Sequence, residues 1–352
     1  MSKDRLKLRH IDSLEGWISF KRMRYYCREC RKGFYPFDEE LKVGKESRMS
    51  LKKERQLAKL AVRIPYEEAK AVYEELTHTK VGRMTAHRSV QRLGKKLQES
   101  QNVLESQSPA IKEEGNKGKE HVTADGTMVH FRGEGWKETK VGAYYRVDEE
   151  RRARDIFYTA TLGPRAELGL RLYHLSGEPL LEQTGEMAFV SDAAEWLSEM
   201  QQEHFPLATA IVDFYHASEY VWKAAKSFYG ESSLKTRQWA EEKIKQLEAG
   251  DQRGLQRSFS KMKPKTEEQK ESLKVVRRYF RNHGSKMDYP RYKNRGLHIG
   301  SGIAEGACKH VVGARFKQAG MRWSRPGAGH LLHLRLAHLN NQWNLVAACQ
   351  LN

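Results

Sequence analysis

The chain has 352 residues, enough to bury a sizeable core, and carries 63 Lys and Arg against 45 Asp and Glu, a formal net charge of +18. This charge favours a polyphosphate ligand over a small metabolite, because each phosphate that is neutralised releases condensed counterions. The sequence lacks both an apolar run of roughly 20 residues and the apolar core of a secretory signal, so we expect a cytoplasmic protein that binds nucleic acid without a membrane.

The N-terminal region, residues 1–44, combines short strand-like pieces with a closely spaced cysteine pair, Cys27 and Cys30. Two cysteines separated by two residues have the spacing of half a zinc site, and a complete site needs two further ligands. His10 is a candidate third ligand, and an exposed histidine without a metal is the simpler interpretation. We predict a partial zinc-ribbon-like segment, in which Zn²⁺ at the two cysteines stays an open alternative.

Residues 45–106 have the apolar spacing of helices and predict a helical, helix-turn-helix-like region. Pro65 is expected to open one helix and Thr85 to cap the next. The polar face of the second helix carries three candidate DNA-binding residues, Arg88, Gln91 and Arg92. Such a face fits a major groove, and the alternative is an ordinary helical hairpin with a solvated basic face. The polar stretch 107–119, marked by Gly and Pro, predicts a linker.

The region 120–352 changes from helical spacing to alternating apolar and polar residues. Three consecutive strands are predicted first, followed by strand–helix units in which each strand ends in an aspartate. Residues 217–290 are strongly helical and charged, and predict a helical insertion. The fold class is therefore α/β, and the order of the elements fits an RNase H-like catalytic core, although a fold alone does not fix a function.

Three carboxylates in this region are the candidate catalytic residues. Asp125 and Asp192 are predicted at strand ends, and Glu305 in a helix that Ser301 can cap. Three carboxylates that converge repel one another unless divalent cations neutralise them, and Mg²⁺ prefers oxygen ligands. Two ions about 4 Å apart activate a nucleophile and stabilise the leaving oxygen of a phosphodiester. The set predicts phosphoryl transfer on nucleic acid, although a single strand-end aspartate is more often a helix cap.

The residues around Glu305 form a long segment, RGLHIGSGIAEGACKHVVGARFKQAGMRWSRPGA. This segment closely resembles the C-terminal signature of ISKra-type insertion-sequence transposases, bacterial DDE enzymes with an RNase H-like core. Further matching segments are YYCRECRKGFYPFDEEL, ADGTMVHFRGEGWKETKVGAYY, FVSDAAEW and IVDFYHASEYVW, so the likeness runs from about residue 27 to 343. The resemblance implies a DNA transposase that cuts and joins strands at the ends of its element with two Mg²⁺ or Mn²⁺ ions.

In this resemblance Asp125 matches the family's first acid and Glu305 its last. The second acid is placed at Asp192, because an aspartate after the fourth strand suits the fold. Asp213 is the competing candidate, and with His216 it resembles an aspartate–x–x–histidine accessory motif of several transposase groups. The resemblance thus implies metal binding by Asp125, Asp192 and Glu305, with Asp213 and His216 in a supporting or alternative role.

The sequence departs from the family pattern at two points. The middle motif usually reads Gly-Asp-Gly-Ala, whereas Ser191 and Ala193 flank Asp192 here. Family members also commonly have an earlier Cys-x-x-Cys pair, which this sequence begins too late to include. The first departure bears on activity, and the second leaves the N-terminal zinc site incomplete.

A basic segment with a tryptophan follows Glu305. The candidate DNA-binding residues in it are Lys309, Arg315, Lys317, Arg322 and Trp323. Basic residues next to an aromatic ring can grip phosphates while the ring stacks on an unpaired base. The alternative is that Trp323 covers the core and the basic side chains are solvated.

Two other functions compete with a transposase. One is a metal-dependent nuclease or RNase H-type hydrolase, which would need neither the helix-turn-helix nor the insertion. The other is a catalytically inactive or domesticated transposase that only binds DNA. The expected partners are double-stranded DNA, as element ends and target, and a second copy of the chain, since two ends must be held together. A bacterial, nucleoid-associated location follows from that interpretation.

Overall fold

The computed structural model describes residues 2–41, 43, 48–104, 118–176 and 186–351. It divides into two compact units that do not follow the order of the chain. Unit 1 comprises Met1–Leu104, His130–Gly135 and Val311–Asn352, and unit 2 comprises Glu105–Val129 and Trp136–His310. The predicted linker, 107–119, lies outside the described residues except for its last two, where a strand begins.

In these residues the strands are β1 (Ser2–Ser13), β2 (Gly16–Tyr26), β3 (Gly33–Phe34), β4 (Lys119–Phe131), β5 (Gly135–Val147), β6 (Ala153–Thr161), β7 (Met187–Ser191) and β8 (Thr209–Val212). The helices are α1 (Pro36–Glu40), α2 (Leu51–Ala61), α3 (Tyr66–Thr77), α4 (Thr85–Leu104), α5 (Arg165–Leu175), α6 (Glu195–His204), α7 (Phe214–Tyr229), α8 (Leu234–Glu248), α9 (Gln252–Lys261), α10 (Glu267–His283), α11 (Tyr289–Asn294), α12 (Gly302–Ala307), α13 (Ala314–Phe316), α14 (Arg325–Leu339) and α15 (Trp343–Leu351). A 3-10 turn, Gly284–Lys286, precedes α11, and a π-helical turn, Cys308–Gly313, follows α12.

Unit 1 begins with a three-stranded sheet in the order β1-β2-β3, in which neighbouring strands are antiparallel. The buried carboxylate of Asp38, on α1, pairs with Arg9 and Arg22 of the first two strands. The helices predicted to open at Pro65 and at Thr85 are present as α3 and α4. The N-terminal segment is thus a small sheet followed by a helical region.

Helix α4 packs against α14, which lies near the other end of the chain. Its side chains Val90, Leu93 and Leu97 are completely or almost completely buried. At Gly94 a side chain has no room, because a Cβ atom there would overlap the backbone carbonyl of His330. The first and last parts of the chain therefore share one apolar core.

Two buried arginines close the C-terminal end of α2. Arg315 Nε donates to the carbonyl oxygen of Ala61 at 2.9 Å, and Arg335 donates to that of Val62. The last carbonyl groups of a helix lack partners within the helix and carry its partial negative charge. The two guanidinium groups donate hydrogen bonds to these carbonyl oxygens and place positive charge at the helix end, although both arginines are buried.

Unit 2 contains a mixed five-stranded sheet in the order β6-β5-β4-β7-β8. Strand β5 is antiparallel to β6, whereas β4 and β7, and β7 and β8, are parallel. Alternate side chains face opposite sides of the sheet. Val122 and Phe189 belong to the core that includes α5 and α6, and Val190 and Ile211 to the core that includes α7 to α11. The chain is therefore a mixed α/β protein, as predicted.

The helical insertion predicted for 217–290 is present as α7 to α11, and its apolar side chains form a core with one face of the sheet. Asp213 directly follows β8 and caps α7, because its side chain accepts hydrogen bonds from two backbone N–H groups of the first turn. Of the helices in the described residues, none is both long and apolar enough to span a membrane.

Candidate active site

Asp125 lies within β4, and Asp192 directly follows the neighbouring strand, β7. Thr123 of β4 is paired with Val190 of β7 in a parallel register. Two residues further along each strand direction come Asp125 and Asp192. Because adjacent strands are about 4.8 Å apart, this register brings the two carboxylates together at the carboxyl end of β7. Asp192 directly follows β7, as predicted, whereas the prediction of Asp125 at a strand end is wrong, because β4 continues for six residues beyond it.

The pKa of the Asp125 carboxyl group reflects its proximity to Asp192. Burial raises the pKa of its carboxyl group above the usual value, and the negative charges of Asp192 and Glu138 raise it further. Hydrogen bonds act in the opposite direction, from the backbone N–H of Gly126 to Oδ1 at 2.6 Å and from the thiol of Cys308 to Oδ2 at 3.7 Å. A cation would relieve the repulsion among these carboxylates, as in known metal sites.

Glu138, on β5, is a further acidic neighbour that sequence reasoning missed. It lies against Gly126, where a Cβ atom would overlap its carboxylate, and it forms an ion pair with Lys140 at 2.9 Å. The alternation of polar and apolar residues in β5 predicts only that Glu138 is a polar residue of a strand. Its place beside Asp125 depends on the pairing of β4 with β5, which a sequence pattern does not specify.

Glu305 lies on α12 and is connected to Asp125 through Cys308, the residue that follows this helix. It precedes Cys308 by three residues, so the two side chains share one helix face, and Cys308 contacts Asp125. The side chain of Glu305 is exposed. Among the described residues, no group of three or more His, Cys, Asp or Glu side chains is arranged to hold a metal ion.

Asp213 is a buried residue whose two oxygens are both engaged. Oδ1 accepts from the backbone N–H groups of Tyr215 at 2.6 Å and His216 at 3.2 Å. Oδ2 accepts from the backbone N–H of Ser301 at 2.8 Å and from its hydroxyl. Asp213 therefore ties the start of α7 to the start of α12, the helix of Glu305.

One neighbouring expectation is corrected by these contacts. Ser301 stands at the start of α12, but its side chain makes no capping bond, because the hydroxyl donates to Asp213. His216 lies on the first turn of α7, where its backbone N–H donates to Asp213 and its Nδ1 is 3.3 Å from Glu219. His216 also lines a cavity together with Asp192, and its supporting role stays a prediction.

The cysteine pair lies in the turn between β2 and β3. Cys27 is half-buried and Cys30 is exposed, and hydrogen bonds from the backbone and thiol of Cys30 lower the pKa of Cys27. His10 is not close enough to be their third ligand. It pairs with Ser19, whereas Cys27 follows Tyr26 at the far end of β2. His10 is therefore wrong as a third ligand, whereas Zn²⁺ at Cys27 and Cys30 stays a prediction.

The predicted DNA-binding residues of α4 differ in their surroundings. Arg88 is exposed. Gln91 accepts from His330 at 2.8 Å, and Arg92 forms an ion pair with the buried Glu54. Arg88 is therefore the member of this set that presents its polar group to solvent.

A cavity of about 390 Å³ in unit 1 lies beside Arg88. Lys80 and Arg48 line the same cavity, as does Trp17, whose side chain is 66% exposed. Basic groups around an exposed aromatic ring are the composition of nucleic-acid-binding surfaces. This surface combines residues from the N-terminal sheet and from the start of α4.

The basic segment after Glu305 is divided between surface and core. Lys309, Lys317 and Arg322 are exposed. Arg315 is completely buried, and Trp323 is 9% exposed, with its indole N–H donating to the carbonyl of Phe316 at 3.0 Å. The prediction that Arg315 and Trp323 contact DNA is therefore wrong for this structure, since both belong to the core of unit 1.

The chain is similar to a set of proteins whose function is not described. The sequence pattern of an uncharacterised protein family, UPF0236, matches residues 2–346. A UPF0236 protein of Caldanaerobacter subterraneus subsp. tengcongensis is 24% identical over 346 residues, which cover 96% of this chain and 69% of the relative, and its name combines eleven locus designations. A second from the same organism is 24% identical over 96% of this chain and 70% of its own length. A third, whose name combines four locus designations, is 22% identical over 96% of this chain and 69% of its own length.

Proposed function

This chain belongs to the UPF0236 family, and we propose that it is a DNA transposase in which Asp125, Asp192 and Glu305 hold divalent cations. The observation that carries the proposal is the parallel register of β4 and β7, which brings Asp125, within β4, level with Asp192, just beyond the end of β7. The carboxyl ends of parallel strands, where Asp192 lies, recur as ligand sites of α/β sheets. The proposed reaction is cleavage of phosphodiester bonds at the ends of an insertion sequence, followed by transfer of the new end to a target.

The topology of the sheet supports an RNase H-like core. Counted from β4, the spatial order is third, second, first, fourth, fifth strand, and the fourth and fifth run parallel to the first. This is the arrangement that the predicted order of three meandering strands and two strand–helix units would give. It also explains why Asp125, within the first strand, lies beside Asp192, which follows the fourth.

The donor set suits Mg²⁺ or Mn²⁺, because all three proposed ligands offer carboxylate oxygens. Burial and the negative charge of Asp192 raise the pKa of Asp125. A cation bound there would offset the repulsion between the two carboxylates. Glu305 stands on α12, and Cys308, directly after that helix, donates a hydrogen bond to Asp125. The side chain of Glu305 is exposed, and on this proposal it turns towards the aspartate pair when the ions bind. When bound, the ions supply activation of the nucleophile and stabilisation of the leaving oxygen. The protein's part is to hold the three carboxylates and to fix α12 through Asp213.

Affinity for DNA follows from the charge of the chain and its exposed basic residues. The net charge is +18, and Arg88, Lys309, Lys317 and Arg322 are exposed. Phosphate contacts by such residues provide binding that weakens with salt. We propose double-stranded DNA as the partner, a homodimer in the DNA complex, and action in the bacterial cytoplasm on the nucleoid.

The names of the relatives add a separate argument. One UPF0236 protein has a name that combines eleven locus designations, and another combines four. A mobile gene can be present at many places in one genome, whereas a resident enzyme does not need many gene copies. Repetition of this kind favours a mobile element over a domesticated DNA-binding protein.

The decisive experiment uses the purified full chain, Mg²⁺ and a supercoiled plasmid that carries its gene with the flanking DNA. We expect nicked and cleaved plasmid at the gene boundaries, and joined products with a second plasmid. Asp125→Asn is expected to lower the cleavage rate by about a thousandfold or more, because a lost metal ligand removes several kcal/mol of transition-state stabilisation. DNA affinity should stay within a small factor, since Asp125 faces the ions.

Glu150→Gln is the matched control, because Glu150 is an exposed acid in a turn of the same unit. It should cleave at the wild-type rate. Cleavage by Asp125→Asn at that rate would remove Asp125 from the mechanism, and cleavage without any joined product would favour a nuclease.

A DNA-binding protein without catalysis is the second candidate. One observation favours it: within the described residues, the three acids do not form a ready three-ligand group, because Glu305 is directed to solvent. On this alternative the wild-type chain shifts DNA in a gel but leaves every plasmid intact with Mg²⁺ or Mn²⁺.

A further inference from the structure

A cavity of about 300 Å³ opens beside Asp192 within unit 2. It is formed by residues of α7 and α10, two helices of the insertion that pack together. The side chains that matter below are Asp192, Tyr220, Arg278, Tyr279, Asn282 and His283. A volume of this size suits one small planar ligand and excludes a DNA duplex.

The wall of the cavity is a pair of stacked tyrosines. The rings of Tyr220 and Tyr279 are parallel within 9°, with their centroids 3.7 Å apart. Tyr279 is buried, whereas Tyr220 is partly exposed and lines the opening. A supported aromatic ring of this kind presents a flat apolar surface, on which a nucleobase stacks whatever its sequence.

Polar groups stand at the edge of this aromatic surface. Arg278 and Asn282 are four residues apart on α10, as are Tyr279 and His283, so each pair shares a helix face, and all four residues line the cavity. An asparagine amide both donates and accepts, which matches the mixed edge of a base, and a guanidinium matches a phosphate. A basic side chain, Arg278, and an acidic one, Asp192, line the same cavity.

We propose that this cavity binds a single unpaired nucleotide of the DNA substrate, with its base on Tyr220, its edge at Asn282 and its phosphate at Arg278. The inference rests on the proposed function, because Asp192 lines the same cavity and would hold the cation at the neighbouring phosphodiester. A base withdrawn from the duplex lets the backbone turn its phosphate towards Asp125 and Asp192. On this proposal α7 and α10 help to separate the two DNA strands at the site of cleavage.

Binding of matched duplexes tests the cavity apart from the chemistry. The probes are a short fully paired duplex and the same duplex with one bulged adenine, both without added divalent metal. We expect the full chain to bind the bulged duplex about tenfold more tightly, the scale of one base–aromatic stack. Tyr220→Ala should bring the ratio of the two dissociation constants close to one, and Tyr220→Phe should keep it near the wild-type value.

Tyr215→Ala is the matched control, since Tyr215 is an exposed tyrosine of the same helix outside the cavity, and its ratio should stay as in the wild type. Thermal unfolding of each variant shows whether it is folded. Equal wild-type affinity for both duplexes overturns the inference even when the plasmid is cleaved. A preference that Tyr220→Ala retains also overturns it. A preference lost in Tyr220→Ala, together with an uncut plasmid, supports the nucleotide site and defeats the proposed transposase.

Discussion

Asp213 and Ser301 are joined by two hydrogen bonds, one from the backbone N–H at 2.8 Å and one from the hydroxyl of Ser301. Through this contact the residue that caps α7 also sets the start of α12. The acid that resembles part of a transposase motif thus acts in this structure by positioning the helix of Glu305. Its role can be separated from that of Asp125 by measuring stability.

Asp213→Ala should lower the free energy of unfolding by roughly 2–4 kcal/mol. The substitution removes a helix cap, worth about 1 kcal/mol, and leaves buried donors of Ser301 without a partner, at about 1–3 kcal/mol. Urea unfolding measures the difference. Asp251→Ala is the control, because Asp251 caps α9 at an exposed site, and it should cost about 1 kcal/mol. A stable Asp213→Ala that has lost cleavage would instead identify Asp213 as a metal ligand.

Arg88→Ala should weaken DNA binding and reduce the slope of the logarithm of affinity against the logarithm of salt concentration by about one. Arg88 is exposed beside the basic cavity of unit 1, and one lost phosphate contact releases about one counterion fewer. Titration of a fluorescent duplex at several salt concentrations gives both values. Lys52→Ala, at an exposed position of α2, should leave the slope unchanged. Equal slopes in wild type and Arg88→Ala would place the DNA elsewhere.

Gly94→Ala should destabilise the chain by about 1–3 kcal/mol, although alanine normally stabilises a helix relative to glycine. The added methyl group would overlap the backbone of His330, so α4 and α14 would have to move apart. Gly302→Ala is the matched control, since a Cβ atom at Gly302 meets no atom within 4 Å. Thermal or urea unfolding of both variants checks the prediction, and an unchanged Gly94→Ala would contradict the packing of these helices.

Stability should fall as the pH drops from about 6.5 to about 4, in part because of His121. Burial lowers the pKa of His121 to about 4, and its Nε2 accepts the backbone N–H of His298 at 3.0 Å. In this pH range the unfolded chain binds a proton that the folded chain excludes, so unfolding is favoured by about 2 kcal/mol near pH 5 relative to pH 8. His121→Phe should be less stable at pH 8 and should lose that part of the pH dependence. A variant with the wild-type pH profile would show that His121 does not contribute.

Much of the fold could be predicted because local patterns determine it. The sequence pattern predicted both aspartates at strand ends, which is confirmed for Asp192, whereas β4 continues for six residues beyond Asp125. The parallel pairing of the two strands sets their shared register. The helices of the insertion were equally visible from their apolar spacing.

What the sequence did not show depends on contacts between distant residues. The stack of Tyr220 on Tyr279 joins two helices that are separated by more than thirty residues, and Glu138 reaches Asp125 only through strand pairing. Trp323 illustrates the same limit, because its basic neighbours suggest a surface although its ring is buried. Charge in the sequence indicates which residues prefer water, but packing decides which of them remain in it.

The construction of unit 1 from both ends of the chain has a consequence during synthesis. Helix α4 ends at Leu104, and its partner α14 begins at Arg325, roughly 220 residues later. At about 5–20 residues per second, a ribosome needs on the order of 10 to 40 s to supply that partner. Until then α4 can pack against α2 and α3 but lacks α14, so a nascent or prematurely ended chain should present part of its apolar surface to chaperones. Completion of the core of unit 1 therefore has to wait until the message has been read almost to its end.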